Sequence, residues 1–194
     1  MMETLYTYRS TPELLEKWKS AADKLSALCE SKEALEIPGN WVRGKPTLVD
    51  AVCTPLCNAM NLLPHIHTTS SCQGHGSSWF FVQFNCSEMS TLHFVVDIFG
   101  GGIVATRPDG QKVEFSDWDI KITNRSLIQM RAFENVTFNL SSDSLGKEKD
   151  DAIKIEVVTS YVKYIAERAK NYAEQLEAAL ERNRKPPPSL PEEG

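Results

Sequence analysis

Apolar residues recur at spacings of three and four along the two ends of the chain and alternate in short runs between them. The first periodic stretch opens where Thr11 offers an N-cap, Pro12 the first helical position and Glu13 an acidic first turn. Leu14, Trp18, Ala22, Leu25 and Leu28 then share a face, which predicts a helix over 12–35, ended by Pro38-Gly39-Asn40. Trp41 to Lys45 reads as a loop. A second helical pattern covers 47–62, but Pro55 lies inside it, and an interior proline costs about 3 kcal/mol. The helix is therefore predicted to start at Pro55, capped by Thr54, after a short turn from Thr47. Pro64 stops it.

The period then changes. Ile66 to Thr69 reads as a strand, 70–78 as a loop, and Trp79 to Phe84 as an aromatic strand. Met89, Leu92, Val95, Val96 and Phe99 predict a helix capped by Ser87 or Ser90 and closed by Gly100-Gly101-Gly102. Runs at 103–106, 112–115, 118–123 and 127–140 follow, with a hairpin turn at Arg107-Pro108-Asp109-Gly110-Gln111, so this part is expected to be an antiparallel meander of three or four strands. After a polar linker at 141–149 comes a long amphipathic helix over 150–183, with Val158, Tyr161, Val162, Ile165, Ala169, Tyr172, Leu176 and Leu180 on one face. Its first turns, Ile153 to Val157, also alternate as a strand would. The proline-rich tail, 184–194, is expected to be disordered.

These elements predict an α/β chain of the α+β type: a single domain over 1–183 with a mixed or antiparallel sheet, an N-terminal helix and a long C-terminal amphipathic helix. A length of 194 residues, 41% of them hydrophobic, is enough for one well-buried core. No apolar run approaches the roughly eighteen residues of a membrane span, and Met1 to Ser10 shows no basic segment followed by an apolar one. A cytoplasmic chain with no membrane partner is expected. The 5 cysteines are an odd number, which suits reduced thiols in that compartment. There, the glycosylation-like triplets at Asn85, Asn124, Asn135 and Asn139 have no meaning. A net charge of −5 with scattered basic residues argues against an extended nucleic-acid surface, though not against one small phosphorylated ligand.

Candidate chemistry is densest at 64–84. Thr68, Thr69, Ser70, Ser71, Ser77 and Ser78 set hydroxyls around Gly74 and Gly76. Glycines let amides approach an anion and hydroxyls add neutral donors, so this loop suits a phosphate, a carboxylate or a ribose. No lysine follows the glycines, so it is not a Walker A loop. The candidate ligand-binding residues are His67, Thr69, Ser70, Ser71, Gly74, Gly76 and Trp79. A plain polar turn between strands would have the same composition.

Cys72 and His75, three apart, are the candidate catalytic pair, a thiol that an imidazole could activate, with no third member evident. A structural cysteine beside a histidine fits equally. His65, His67, Cys72 and His75 are close in sequence, and Cys53 and Cys57 share a helix face at i, i+4. Without a paired C-x-x-C, however, no metal is assigned, and Cys53 and Cys57 are as easily buried small hydrophobes. His67-Thr68-Thr69 would be half of a two-histidine phosphoesterase signature, but His93 brings no second copy. Trp79, Phe80, Phe81 and Phe84 could stack a base or simply fill a core.

The run Pro55-Leu56-Cys57-Asn58-Ala59-Met60-Asn61-Leu62-Leu63-Pro64-His65-Ile66-His67-Thr68-Thr69-Ser70-Ser71-Cys72-Gln73-Gly74-His75 resembles a stretch shared by small bacterial and bacteriophage proteins: a short helix, an Ile- or Val-centred strand, Thr-x-x-Ser-Cys-x-Gly-His, then an aromatic strand. Thr68-Thr69-Ser70-Ser71-Cys72-x-Gly74 also resembles the loop of the wybutosine-synthesis tRNA methyltransferases, which have Arg where this chain has His75. The resemblance covers about 30 residues. It implies a small nucleotide-like or adenosyl ligand at 68–76, in a phage-type or bacterial protein; a phage protein of this kind could act by sequestering a host signalling nucleotide. The alternatives are an S-adenosylmethionine-dependent methyltransferase, a nucleotide hydrolase using His75, or an interaction protein that forms a homo-oligomer through the 150–183 helix. Whether the chain is an enzyme stays open at this point.

Overall fold

The structure, a computed structural model, describes residues 11–30, 40–42, 45–47, 50–76, 78–107, 109–123 and 136–184, with only the backbone of 40–42 and 45–47. Helix α1 spans Pro12–Glu30. The Thr11 hydroxyl accepts a hydrogen bond from the Leu14 amide at 3.1 Å, so the cap read from the sequence is formed. The end expected near 35 lies outside the described residues. Strands β1 (Asn40–Val42) and β2 (Lys45–Thr47) pair antiparallel, which corrects the loop expected over 41–45.

Helix α2 runs Thr54–Leu62. Its N-cap is Cys53 rather than Thr54, because the chain already turns at Asp50. The Asp50 carbonyl accepts from the Cys53 amide at 2.8 Å and the Thr54 amide at 3.1 Å, and the Thr54 hydroxyl donates to the same oxygen at 3.2 Å. Strands β3 (Ile66–Cys72) and β4 (Phe80–Cys86) are both longer than predicted. Helix α3, Met89–Phe99, is capped by Glu88, whose carboxylate accepts from the Ser90 amide, so neither Ser87 nor Ser90 is the cap. Gly100 ends it.

Strands β5 (Ile103–Thr106) and β6 (Lys112–Phe115) form the expected hairpin, but as a separate two-stranded sheet. Strands β7 (Trp118–Ile122) and β8 (Thr137–Ser142) instead join β3 and β4 in a four-stranded antiparallel sheet of order β3-β4-β8-β7. The continuous meander is thus corrected to two sheets, and the expected strand residues 127–135 lie outside the described residues. The polar linker at 141–149 is also corrected. It holds the end of β8 and a short helix α4, Asp143–Lys147, whose cap Ser142 accepts from the Leu145 amide at 3.1 Å. Helix α5, Asp151–Arg184, follows, and its first turns are helical rather than extended.

In β4 the even-numbered residues Phe80, Val82, Phe84 and Cys86 are buried, and Phe138 and Leu140 of β8 join them. This inner face belongs to one core cluster with Trp18 and Leu25 of α1, Leu56 and Met60 of α2, and Val157, Val158, Tyr161 and Ile165 of α5. Each fully buried side chain of this kind contributes about 1.5–3 kcal/mol. Helix α1 lies along α5, where Trp18 meets Tyr172 edge-on and Lys19 pairs with Glu177 at 2.6 Å. The apolar face offered as an oligomer seam is therefore covered inside the chain: Val158, Tyr161, Val162, Ile165, Ala169, Tyr172 and Leu176 are buried. No described helix is long and apolar enough to cross a membrane.

Candidate functional site

The sheet has a second face, and a β-bulge decides what stands on it. Ile66 and Thr68 of β3 are buried, so simple alternation would carry Ser70 and Cys72 inward as well. The register with β4 shifts between Thr68 and Ser70, leaving Thr69 as the extra residue. Beyond it Ser70 pairs with Gln83, Ser71 with Val82 and Cys72 with Phe81. The parity is inverted: Ser71 now turns inward, beside the thiols of Cys53 and Cys57, while Ser70 and Cys72 share the outer face with Phe81 and Gln83. The outer face is polar, with Ser70 donating to Gln83 at 2.6 Å and Thr137 to Asn85 at 2.9 Å. His67, paired with Asn85, is exposed on the same face.

The loop from Gln73 to Trp79 is held from three sides. Gly74, His75 and Gly76 all have positive φ, 81°, 49° and 76°. A Cβ on Gly74 would lie 2.5 Å from the Gly146 Cα, and one on Gly146 would lie 2.1 Å from the Ser78 carbonyl oxygen, so α4 and the loop touch backbone to backbone. Underneath, Lys154 of α5, its side chain 1% exposed, donates to the Gln73 carbonyl at 3.1 Å, with Asp151 3.6 Å away. On the remaining side the Asp50 carboxylate accepts from the Gln73 amide at 3.0 Å.

This packing uses up donors that a ligand would need. The amides of Gln73, Gly74, Gly76 and Ser78 donate respectively to the Asp50 carboxylate, the Cys72 sulfur, the Gly146 carbonyl and the Gly74 carbonyl. The Ser78 hydroxyl also donates to the Gly74 carbonyl, and that of Thr68 accepts from Asn61. Ser71 and Gly74 thus face the protein, and these amides form no anion cradle. Ser77 lies outside the described residues.

On the outer side, the structure brings Cys72 and His75 together with Asp50. One ligand atom from each, the thiol sulfur, a ring nitrogen and a carboxylate oxygen, lie within 4.8 Å of one another. His75 Nε2 is 3.6 Å from Asp50 Oδ2, and the His75 side chain is 62% exposed. Asp50 is the third group that the sequence did not offer. The other residues grouped with Cys72 in the sequence fall elsewhere. His65, also at positive φ, has its Nδ1 3.4 Å from the Ser87 hydroxyl. Cys53 and Cys57 are buried, and burial pushes both thiols up, that of Cys57 to about 11, so they remain protonated at neutral pH.

The aromatic run divides by parity. Phe80 and Phe84 are core, whereas Phe81 is half-buried on the outer face and Trp79 is 56% exposed, with the Lys121 ammonium 5.8 Å from its ring centroid. Lys121 is itself paired with Asp119 at 2.5 Å. Trp79 and Cys72 stand at the two feet of the same hairpin loop. Gly100 to Gly102 have a structural role, since the Tyr161 hydroxyl donates to the Gly101 carbonyl at 2.8 Å.

Asp50, Gly146 and Lys154 escape a reading from the sequence. Only Lys154 left a signal, because it falls on the apolar side of its helix, at i, i+4 and i+7 with Val158 and Tyr161. No family model, curated protein or solved structure matches this chain.

Proposed function

We propose that this protein binds a small nucleotide-like or adenosyl ligand at the outer rim of the four-stranded sheet, where the loop after β3 carries Cys72 at one foot and Trp79 at the other. The observation that carries this reading is the exposed Trp79 indole beside Lys121, on a sheet face that also carries Ser70 and Gln83. A solvent-facing indole with an ammonium group over its ring suits a planar heterocycle with an anionic substituent. Base–aromatic stacking of this kind contributes about 1–3 kcal/mol. Ser70 and His67, on the same face, add polar contacts, and the Cys72–His75–Asp50 group would meet the end of the ligand away from the ring. The phage-type reading, a protein that sequesters a host signalling nucleotide, needs affinity and no turnover. The hydrolase or methyltransferase alternative would use His75 at the same place.

Native mass spectrometry of the protein purified from cells, followed by denaturation and identification of what is released, tests the proposal. A nucleotide or adenosyl compound recovered intact, and lost in Trp79→Ala, supports a binder. A released product that differs from the added nucleotide supports an enzyme. An apo mass, with no thermal shift from a panel of nucleotides and S-adenosylmethionine, rejects the ligand reading.

A further inference from the structure

We infer that Asp50, Cys72 and His75 form a zinc site with three protein ligands and one open position. The argument stands on these residues alone and does not depend on the ligand proposed above. The donor set is one thiolate, one imidazole and one carboxylate, a combination that suits zinc better than magnesium or calcium, which take oxygen ligands. Zinc bonds of about 2.0–2.3 Å in a tetrahedron place neighbouring donor atoms about 3.3–3.6 Å apart. His75 Nε2 and Asp50 Oδ2 already lie at 3.6 Å, and all three donors lie within 4.8 Å.

The convergence favours a metal over a proton relay. A relay needs the two ring nitrogens of the histidine to face different partners, its carboxylate and its thiol. Here one nitrogen of His75 lies within 4.8 Å of both the thiol sulfur and the carboxylate oxygen. Two of the three donors are also oriented by backbone amides, Asp50 Oδ2 by Gln73 at 3.0 Å and the Cys72 sulfur by Gly74 at 3.4 Å, as outer-sphere donors orient metal ligands. The third is placed by a left-handed backbone, which histidine adopts at a cost. Cys53 and Cys57, kept protonated by burial, stay out of the set. The fourth position would then face the outer side of the sheet, where a water or a ligand oxygen could occupy it.

The test uses the untagged full chain, stripped with chelator and titrated with Co2+ and then Zn2+ with no nucleotide present. The expected result is one metal per chain, with a near-ultraviolet thiolate-to-cobalt band that Zn2+ displaces. Cys72→Ser should abolish the band, Asp50→Asn should weaken binding about tenfold or more, and Cys29→Ser, at the α1–α5 contact, should leave both unchanged. His75→Gly, whose backbone suits the left-handed conformation, is the variant to use if Cys72→Ser does not fold, and it too should lose the metal. Substoichiometric binding, or a thiolate band that persists in Cys72→Ser or His75→Gly, would overturn the zinc site. Nucleotide binding that survives in chelator would leave the ligand proposal standing while the zinc site falls.

Discussion

Two hairpin loops in this protein contain a glycine at almost the same left-handed backbone angle, for different reasons. In the β5–β6 loop, Gly110 has φ 84° and a Cβ added there would meet nothing within 4 Å. The loop's backbone closes on itself, with the Arg107 amide donating to the Gln111 carbonyl and the Gly110 amide to the Arg107 carbonyl, both at 2.8 Å, and the Asp109 carboxylate accepting from the Gln111 amide at 2.9 Å; its long-range tie is a side chain, Arg107 to Glu148 at 2.6 Å. In the β3–β4 loop, Gly74 has φ 81° and a Cβ would run into the backbone of Gly146. That loop is held by α4, α5 and Asp50. The first is a local device and the second a tertiary one, and the candidate chemistry sits on the second. A site whose geometry depends on distant elements can be positioned more tightly than one on a free-standing turn.

Substitutions can break this contrast, and the largest effect should come from Gly146→Ala. Its methyl group has no room beside the Ser78 carbonyl and the Phe80 amide, 2.1 and 2.2 Å away. A loss of about 3 kcal/mol or more is expected in urea unfolding, together with loss of the proposed metal. Lys154→Met comes next. It removes a charged hydrogen bond to the Gln73 carbonyl and should cost about 1.5–3 kcal/mol, with faster hydrogen exchange at Gln73 to Gly76 and none at the β5–β6 turn. Unchanged exchange at both loops would show that Lys154 does not clamp the loop.

Acid should act on the same junction. Burial raises the Asp117 carboxyl, but hydrogen bonds from the Ser144 hydroxyl and amide and the Ser142 hydroxyl outweigh it and hold the group below its ordinary value. Its folded pKa is depressed, so its contribution is present above the unfolded value near 3.9 and is lost as pH falls through the folded one. Asp117→Asn should flatten the acid limb of the stability curve below about pH 4, as measured by thermal melts across pH.

The smallest effects oppose each other and sharpen the comparison. Gly110→Ala should lose about 1 kcal/mol from backbone strain alone, since no atom is in its way. His75→Gly should gain up to about 1 kcal/mol by relieving its left-handed backbone, while the proposed metal is lost. A protein that is stabilised and emptied of metal at once would separate the needs of the fold from those of the site. Equal destabilisation of both variants would mean that His75 contributes packing.

Much of the fold was legible because its signals are local. Thr11-Pro12 starts a helix, Pro64 stops one, and Asp109-Gly110 turns a hairpin through the residues themselves. The meander was misread for a converse reason: β5–β6 and β7–β8 have similar alternation, and nothing in either pair states which sheet it joins. The linker at 141–149 was misread because Ser142 and Gly146 look like loop residues, although one is a helix cap and the other a backbone contact. Of the candidate site, Cys72, His75 and Trp79 were legible as chemistry but not as geometry.

The sequence by itself determined the α+β class, the long terminal helices and the concentration of reactive groups between 64 and 84, because periodicity, proline and glycine act within a few residues. Only the tertiary structure decided that Cys72 faces outward, that Asp50 joins it, and that Gly146 and Lys154 hold the loop between them. The bulge at Thr69 inverts the strand's alternation through its register with β4, and the other contacts join residues far apart in the chain. Such pairings are set by the packing of whole elements, which no local pattern records.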